Sequence, residues 1–185
     1  IKMAEQYSSL EEVFDTRIRG YRDLIRPYDL KQELKLKQTR KTIDTIVKAR
    51  KTVENILDGK DPMIIAIVGP CSIDNIDAAK EYATKLKVLS DKVSDRFFIV
   101  MRTYFEKTRT SVGWPGLLFD PDLNGSRDIN KGIRLSRELL LYNAKLGLPS
   151  ATEYADPLTP QYTSDLVTWV AIGARTVETP RFKQL

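Results

Sequence analysis

Histidine is absent from the 185 residues, and cysteine occurs once, at Cys71. Without histidine, the chain's own side chains cannot build cysteine–histidine catalysis or a zinc site completed by imidazole. A lone cysteine excludes an intrachain disulfide, which leaves Cys71 as either a buried apolar residue or a chemical one. No run approaches the roughly 18 apolar residues of a membrane span, and no basic, apolar and small-residue succession marks a signal peptide. The expected location is therefore cytoplasmic, with no membrane partner. The chain begins at Ile1 instead of methionine, which points to trimming or to preceding residues. Hydrophobic residues make up 42% and charged residues 30%, the balance of a globular chain and not of a disordered one.

The net charge of +5 comes partly from Lys31 to Lys51, where eight Lys or Arg face only Glu33 and Asp44. A nucleic-acid footprint needs clustered charge, and a base-stacking surface needs interleaved aromatics. Neither is present in this stretch, so a solvated helix face is expected there and no nucleic-acid partner.

Residues 1 to 40 show no single period. Ser9-Leu-Glu-Glu12 has the form of a capping sequence for a short helix, and Asp15 to Pro27 reads as an extended arm. From Thr42, the positions Ile43, Ile46, Val47, Val53 and Leu57 fit a helical stripe that Gly59 ends. Met63 to Val68 is a continuous apolar run, as in a strand covered on both faces. Ile76, Ala79, Ala83, Leu86, Leu89 and Val93 recur at helical spacing behind a cap at Asn75, and Phe97 to Met101 is strand-like again. After a long loop, Leu135, Leu139, Tyr142 and Leu146 form a stripe closed by Gly147. Leu148 to Tyr154 supplies a third strand, Thr159-Pro-Gln a short helix with proline in its first turn, and Trp169 to Gly173 a fourth strand. This alternation implies an α/β fold with a parallel sheet and right-handed crossovers.

A doubly wound sheet and a TIM barrel both place chemistry at the strand C-termini. That edge would present Gly69-Pro-Cys-Ser72, Arg102, Glu153 and Arg175. Arg102, Lys107 and Arg109 fall within eight positions at the exit of a strand, where guanidinium forks and a lysine point charge suit phosphate or carboxylate. With Arg175 they would form a strongly positive pocket for substrates with several negative charges, although Arg102 and Arg175 could equally be surface residues paired at strand ends. Cys71 could bind a divalent metal or act as a nucleophile as a thiolate, or be buried and inert. Glu153 could orient an arginine, move a proton, or do neither. Trp114 is expected to pack its loop.

Gly69-Pro-Cys-Ser-Ile73, Met101-Arg-x-Tyr-Phe-Glu-Lys-x-Arg-Thr110, Val112-Gly-Trp-x-Gly116, Asn130-x-Gly132, Gly147-Leu-Pro149, Thr159-Pro-Gln-Tyr162 and Ala171-Ile-Gly-Ala-Arg-Thr176 together resemble type I 3-deoxy-D-arabino-heptulosonate-7-phosphate (DAHP) synthase. The resemblance runs from about Asp15 to Glu178. It implies a TIM (β/α)8 barrel that condenses phosphoenolpyruvate with erythrose 4-phosphate, releasing phosphate, as the first step of the shikimate pathway to aromatic amino acids. Residues 41–185 would hold about the first four β/α units, and residues 1–40 an amino-terminal arm for oligomer and effector contacts. Cys71 would be a ligand of a divalent metal (Mn, Fe, Co or Zn). Arg102, Lys107 and Arg175 would bind phosphoenolpyruvate and, with Glu153, be the catalytic residues; Arg109 and Thr110 would hold the phosphate of the aldose, and Ala174 would also be substrate-binding. Asp15, Pro160 and Gln161 would contact an aromatic amino acid effector in a homo-oligomer, dimer or tetramer.

The chain departs from the family at Thr108, where proline is usual, at Pro115, where lysine is usual, and at Asp74, where histidine is frequent. It stops nine residues after Thr176, with about half of such a barrel and its other metal ligands beyond the end. The 185 residues alone are therefore expected to be inactive, and a non-catalytic anion- or amino-acid-binding module derived from the family is the alternative.

Overall fold

The computed structural model describes residues 21–35, 39–107, 112–173 and 177. A short helix, α1 (Pro27–Glu33), opens the described chain, with proline in its first turn and Leu30 buried. It lies where the sequence shows no period, because only Leu30 and the following Leu34 mark its buried side. Helix α2 (Arg40–Leu57) starts at Thr39, whose side chain accepts the Thr42 N–H. Its buried stripe is Thr42, Ile46, Ala49 and Val53. Ile43 and Val47, expected on that stripe, are 44% and 60% exposed; one residue is a turn of about 100° on a helix, enough to carry them off the buried face.

Four strands follow: β1 (Ile64–Val68), β2 (Phe97–Arg102), β3 (Ser150–Tyr154) and β4 (Trp169–Ile172). Helix α3 (Ile76–Lys92), capped by Asn75, joins the first two. Helix α4 (Ile129–Leu146), capped by Asp128 and ended by Gly147, joins the next two. Helix α5 (Thr159–Thr163) and a 3-10 turn (Ser164–Leu166) lead to β4. All pairings are parallel and the order is β1-β2-β3-β4. That order never reverses, so the sheet has no switch-point crevice of the doubly wound kind, and its C-terminal edge forms one rim. The register puts Val68 opposite Met101 and Arg102 opposite Ala151. Gly69 and Arg102 therefore stand side by side at the rim, with Ala151, near the start of β3, beside Arg102.

The core lies where α3 and α4 cover β2 and β3, with Met101, Leu139, Leu140 and Leu148 fully buried. Among the described residues no strand pairs with the outer edges of β1 or β4. Ile64, Val170 and Ile172 are correspondingly 59%, 38% and 40% exposed. No helix among the described residues is long and apolar enough to cross a membrane.

Polar contacts fix the periphery. Arg50, within the basic run read as solvated, donates to the carbonyls of Ser164 (2.7 Å) and Val167 (2.7 and 3.0 Å), tying α2 to the approach of β4. Arg137 on α4 is 1% exposed and forks onto Asp165 at 2.7 and 2.8 Å, with a further bond to the Tyr162 carbonyl. Burial pushes the Asp165 carboxyl up, but the Arg137 hydrogen bonds and charge outweigh it and hold the group below its usual range. Removing one member of such a pair strands the other charge. Asp165→Ala is thus expected to destabilise the fold by about 3–5 kcal/mol, and Arg137→Met combined with it by clearly less, as read from urea unfolding midpoints.

Candidate functional site

The site is built on the rim where the turn after β1 meets the exit of β2. Gly69 has no Cβ, and one placed there would lie 2.6 Å from the Arg102 carbonyl oxygen. The turn can therefore drop onto the end of β2. Ile73 N–H donates to the Tyr104 carbonyl at 2.8 Å, and the Arg102 Nη1 donates to the Pro70 carbonyl at 2.9 Å. The guanidinium carbon sits 3.8 Å from the centre of the Tyr104 ring, in a cation–π stack. Among the described residues no carboxylate forms with Arg102 the surface ion pair considered from sequence. Cys71 lies in the same turn with an exposed thiol. The reading of a buried, inert cysteine is therefore corrected: the turn is pinned through its neighbours, which leaves the thiol at the surface.

Beyond Arg102 the chain is held from its other side. A Cβ at Gly116 would lie 2.4 Å from the Phe105 carbonyl oxygen and 2.8 Å from the Glu106 Cα. Lys107 N–H donates to the Pro115 carbonyl (2.9 Å) and Leu118 N–H to that of Phe105 (3.1 Å). Trp114 secures this loop, donating from Nε1 to the Asp120 carbonyl at 2.7 Å, the packing role expected of it. Lys107 itself is exposed.

Glu106, quoted above only as part of a motif, has a carboxyl oxygen, Oε1, that is buried without a hydrogen-bond partner. Burial and then the charge of Asp156 push the group up to about 7, with Glu153 adding to the effect and the Thr159 hydroxyl pulling the other way. Glu153, half-buried on β3, thus acts electrostatically on Glu106 together with Asp156. Nothing in the local sequence signals this, because Glu106 meets its neighbours some fifty positions away.

Asp15, Arg109, Thr110, Ala174 and Arg175, named from sequence, lie outside the described residues. Pro160 is buried and Gln161 exposed on α5. An apolar cavity of about 400 Å³ lies beside this helix, lined by Leu24, Leu118, Ile133, Pro157 and Tyr162 among others, but neither Pro160 nor Gln161 lines it. The segment before α1 is docked here: Asn130 accepts from Ile25 N–H and donates to the Asp23 carbonyl, both at 2.8 Å, and Tyr162 donates to the Ile25 carbonyl at 2.6 Å. Among the described residues no three His, Cys, Asp or Glu side chains converge as metal ligands, so these residues do not by themselves fit a catalytic metal, which takes about three protein ligands.

The model of the DAHP synthetase I family matches residues 33–185. The chain is 47% identical over 162 residues to the Trp-sensitive phospho-2-dehydro-3-deoxyheptonate aldolase of Buchnera aphidicola, covering 88% of this chain and 46% of that protein. It is 46% identical over 171 residues to the Phe-sensitive enzyme of Escherichia coli K12, covering 92% and 48%. The solved structure of phospho-2-dehydro-3-deoxyheptonate aldolase from Francisella tularensis SCHU S4 superposes with a TM-score of 0.83 at 48% identity, over 88% of this chain and 47% of that one. The chain thus spans about half the length of the relatives it matches.

A raised carboxyl has a definite sign in stability. The folded state keeps the Glu106 proton up to about 7 while the unfolded chain releases it near 4.5. This group's contribution to stability is therefore fully present below pH 4.5 and is lost as pH rises through 7, by at most about 3 kcal/mol. Glu106→Gln is expected to remove that share of the decline, measured as the difference between the two proteins' urea unfolding free energies at pH 5 and pH 8.

Proposed function

The chain belongs to the DAHP synthetase I family, and from that premise we propose that it supplies one wall of a synthase that joins phosphoenolpyruvate to erythrose 4-phosphate and releases phosphate. The observation that carries the reading is Arg102, a half-buried guanidinium at the strand rim, oriented by Pro70 and Tyr104 and unpaired with any described carboxylate. In this reading Arg102 and Lys107, with Ala174 and Arg175, hold phosphoenolpyruvate, while Arg109 and Thr110 hold the aldose phosphate. Fixing both anions brings the enol carbon to the aldehyde carbon, and positioning of this kind supplies much of the acceleration of a two-substrate reaction. A carbon–carbon bond forms, the aldehyde oxygen takes up a proton, and water replaces the phosphate at the former enol carbon. Glu153 would orient an arginine or move a proton.

The wider protein would be a TIM barrel. Support comes from the unreversed parallel order and from the apolar residues left exposed along β1 and β4, since parallel sheets are normally covered on both faces. Residues 1–40 would form the arm and residues 41–185 the first barrel half. Cys71 would be one ligand of a divalent metal whose other ligands lie outside the described residues. Control by an aromatic amino acid through Asp15, Pro160 and Gln161, in a cytoplasmic homo-oligomer, dimer or tetramer, is supported by the docking of residues 23–25 on α5, the helix that carries Pro160 and Gln161.

A chimera of this chain with the remaining half of the Escherichia coli Phe-sensitive relative tests the reading. DAHP formation is expected, with Arg102→Ala lowering kcat/KM for phosphoenolpyruvate about 10- to 100-fold, the equivalent of a lost hydrogen bond to a charged group. A folded chimera without turnover, or one indifferent to Arg102→Ala, would overturn it.

A further inference from the structure

Arg102 and Tyr104 stand two positions apart in a stretch that keeps the alternation of an extended chain. Met101, Thr103 and Phe105 are buried, whereas Arg102, Tyr104 and Glu106 are half-buried, so the two side chains share one face. The contact between them is a stack, with the guanidinium carbon 3.8 Å from the centre of the Tyr104 ring. A cation in that place lies on the negative face of the ring.

A single hydrogen bond fixes one point of a long side chain and leaves the rest free to turn about that point. The bond from the Arg102 Nη1 to the Pro70 carbonyl, at 2.9 Å, is of this kind. The Tyr104 ring supplies what the bond lacks, a surface against which the planar guanidinium can rest.

The same tyrosine also holds the turn that Arg102 reaches. Its backbone carbonyl accepts the Ile73 N–H at 2.8 Å and the Ser72 hydroxyl at 3.4 Å. The turn from Pro70 to Ile73 is therefore tied at its start to the tip of Arg102 and at its end to the backbone of Tyr104, with Cys71 between the two ties. An arginine that swung away would release Pro70 and leave the turn hanging from Tyr104 and the Gly69 contact.

We propose that Tyr104 is a positioning residue: its ring holds the Arg102 guanidinium on the Pro70 carbonyl, so that Arg102 and the turn carrying Cys71 keep one relative placement. The proposal rests on the reading of Arg102 as an anion ligand. It gives the aromatic ring a task that the phenolic hydroxyl does not perform, and it makes an anion bound at Arg102 tighten the neighbouring turn.

Inorganic sulfate, titrated into the 185-residue chain, is the probe. Tyr104→Phe keeps the ring and should bind sulfate within about twofold of the native chain, whereas Tyr104→Leu should raise the Kd about 3- to 10-fold, the range of a partly desolvated cation–π contact. Tyr104→pentafluorophenylalanine keeps the shape of the ring but reverses the charge on its face, so it tests the contact without opening a cavity; it should follow leucine. Amide exchange at Ile73 should lose protection in the leucine and pentafluorophenylalanine variants and not in Tyr104→Phe, and saturating sulfate should raise that protection in the native chain. A Tyr104→Phe variant as weak as leucine would place the role in the hydroxyl and overturn the proposal. Native affinity, or native Ile73 protection, in both ring-altering variants would overturn it as well. Absence of sulfate binding by the native chain would count against Arg102 as an anion ligand, and exchange at Ile73 then decides by itself whether Tyr104 holds the turn.

Discussion

The rim depends on one backbone contact too close for a side chain to enter. Gly69 lies against the last residue of β2, and the turn that follows it takes its position from that contact. From this contact follow the bond from Arg102 to Pro70, the bond from Ile73 to Tyr104 and the location of Cys71. A methyl group at position 69 would have to push the whole turn outward, because the atoms it meets are backbone and cannot rotate away. Gly116 repeats the device from the opposite side, so the stretch from Arg102 to Lys107 is gripped between two glycines. A charged residue at a strand end is ordinarily a mobile side chain on an ordered root; here Arg102 is also braced at its tip by a carbonyl and an aromatic ring.

The same stretch divides charge. Arg102 and Lys107 provide cations at the rim, while Glu106 between them joins Glu153 and Asp156 on the side toward β3. No carboxylate among the described residues pairs with Arg102. The raised Glu106 carboxyl is a group held in a form that burial and its neighbours favour but free solution would not.

Much of this architecture is legible in the sequence, for identifiable reasons. Three of the four strands read directly because each is a short apolar run followed by a turn or helix signal, whereas β3 is mixed in polarity and reads from its place after the helix-ending Gly147; Asn75 and Gly147 bound their helices as capping chemistry requires. Helix α1 does not read, since seven residues with one buried leucine carry too little periodicity. The stripe of α2 was assigned through Ile43 and Val47 because hydrophobicity was the guide, whereas the buried face includes Thr42 and Ala49. At the site, Arg102 and Cys71 stand out by type and by position after a strand. Glu106 does not, because its character comes from Asp156 and Thr159, brought near only by the pairing of β2 with β3. Asn130 and Gln161 illustrate the same contrast: both sit in conspicuous motifs, yet only the contacts distinguish a clamp on the chain from an exposed helix residue.

That clamp has a consequence for how the protein can vary. Asn130 and Tyr162 grip the Asp23 carbonyl and both backbone groups of Ile25, never a side chain of either residue. The route of the chain into α1 is thus recorded in α4 and α5 and not in the segment that follows it. Asp23 can therefore change in chemistry while the path stays constant, whereas Leu24 and Ile25 also pack against the core, and proline is excluded at position 25 because it has no N–H to offer. A strand of peptide held in this way can change what it presents to a neighbour without changing where it runs.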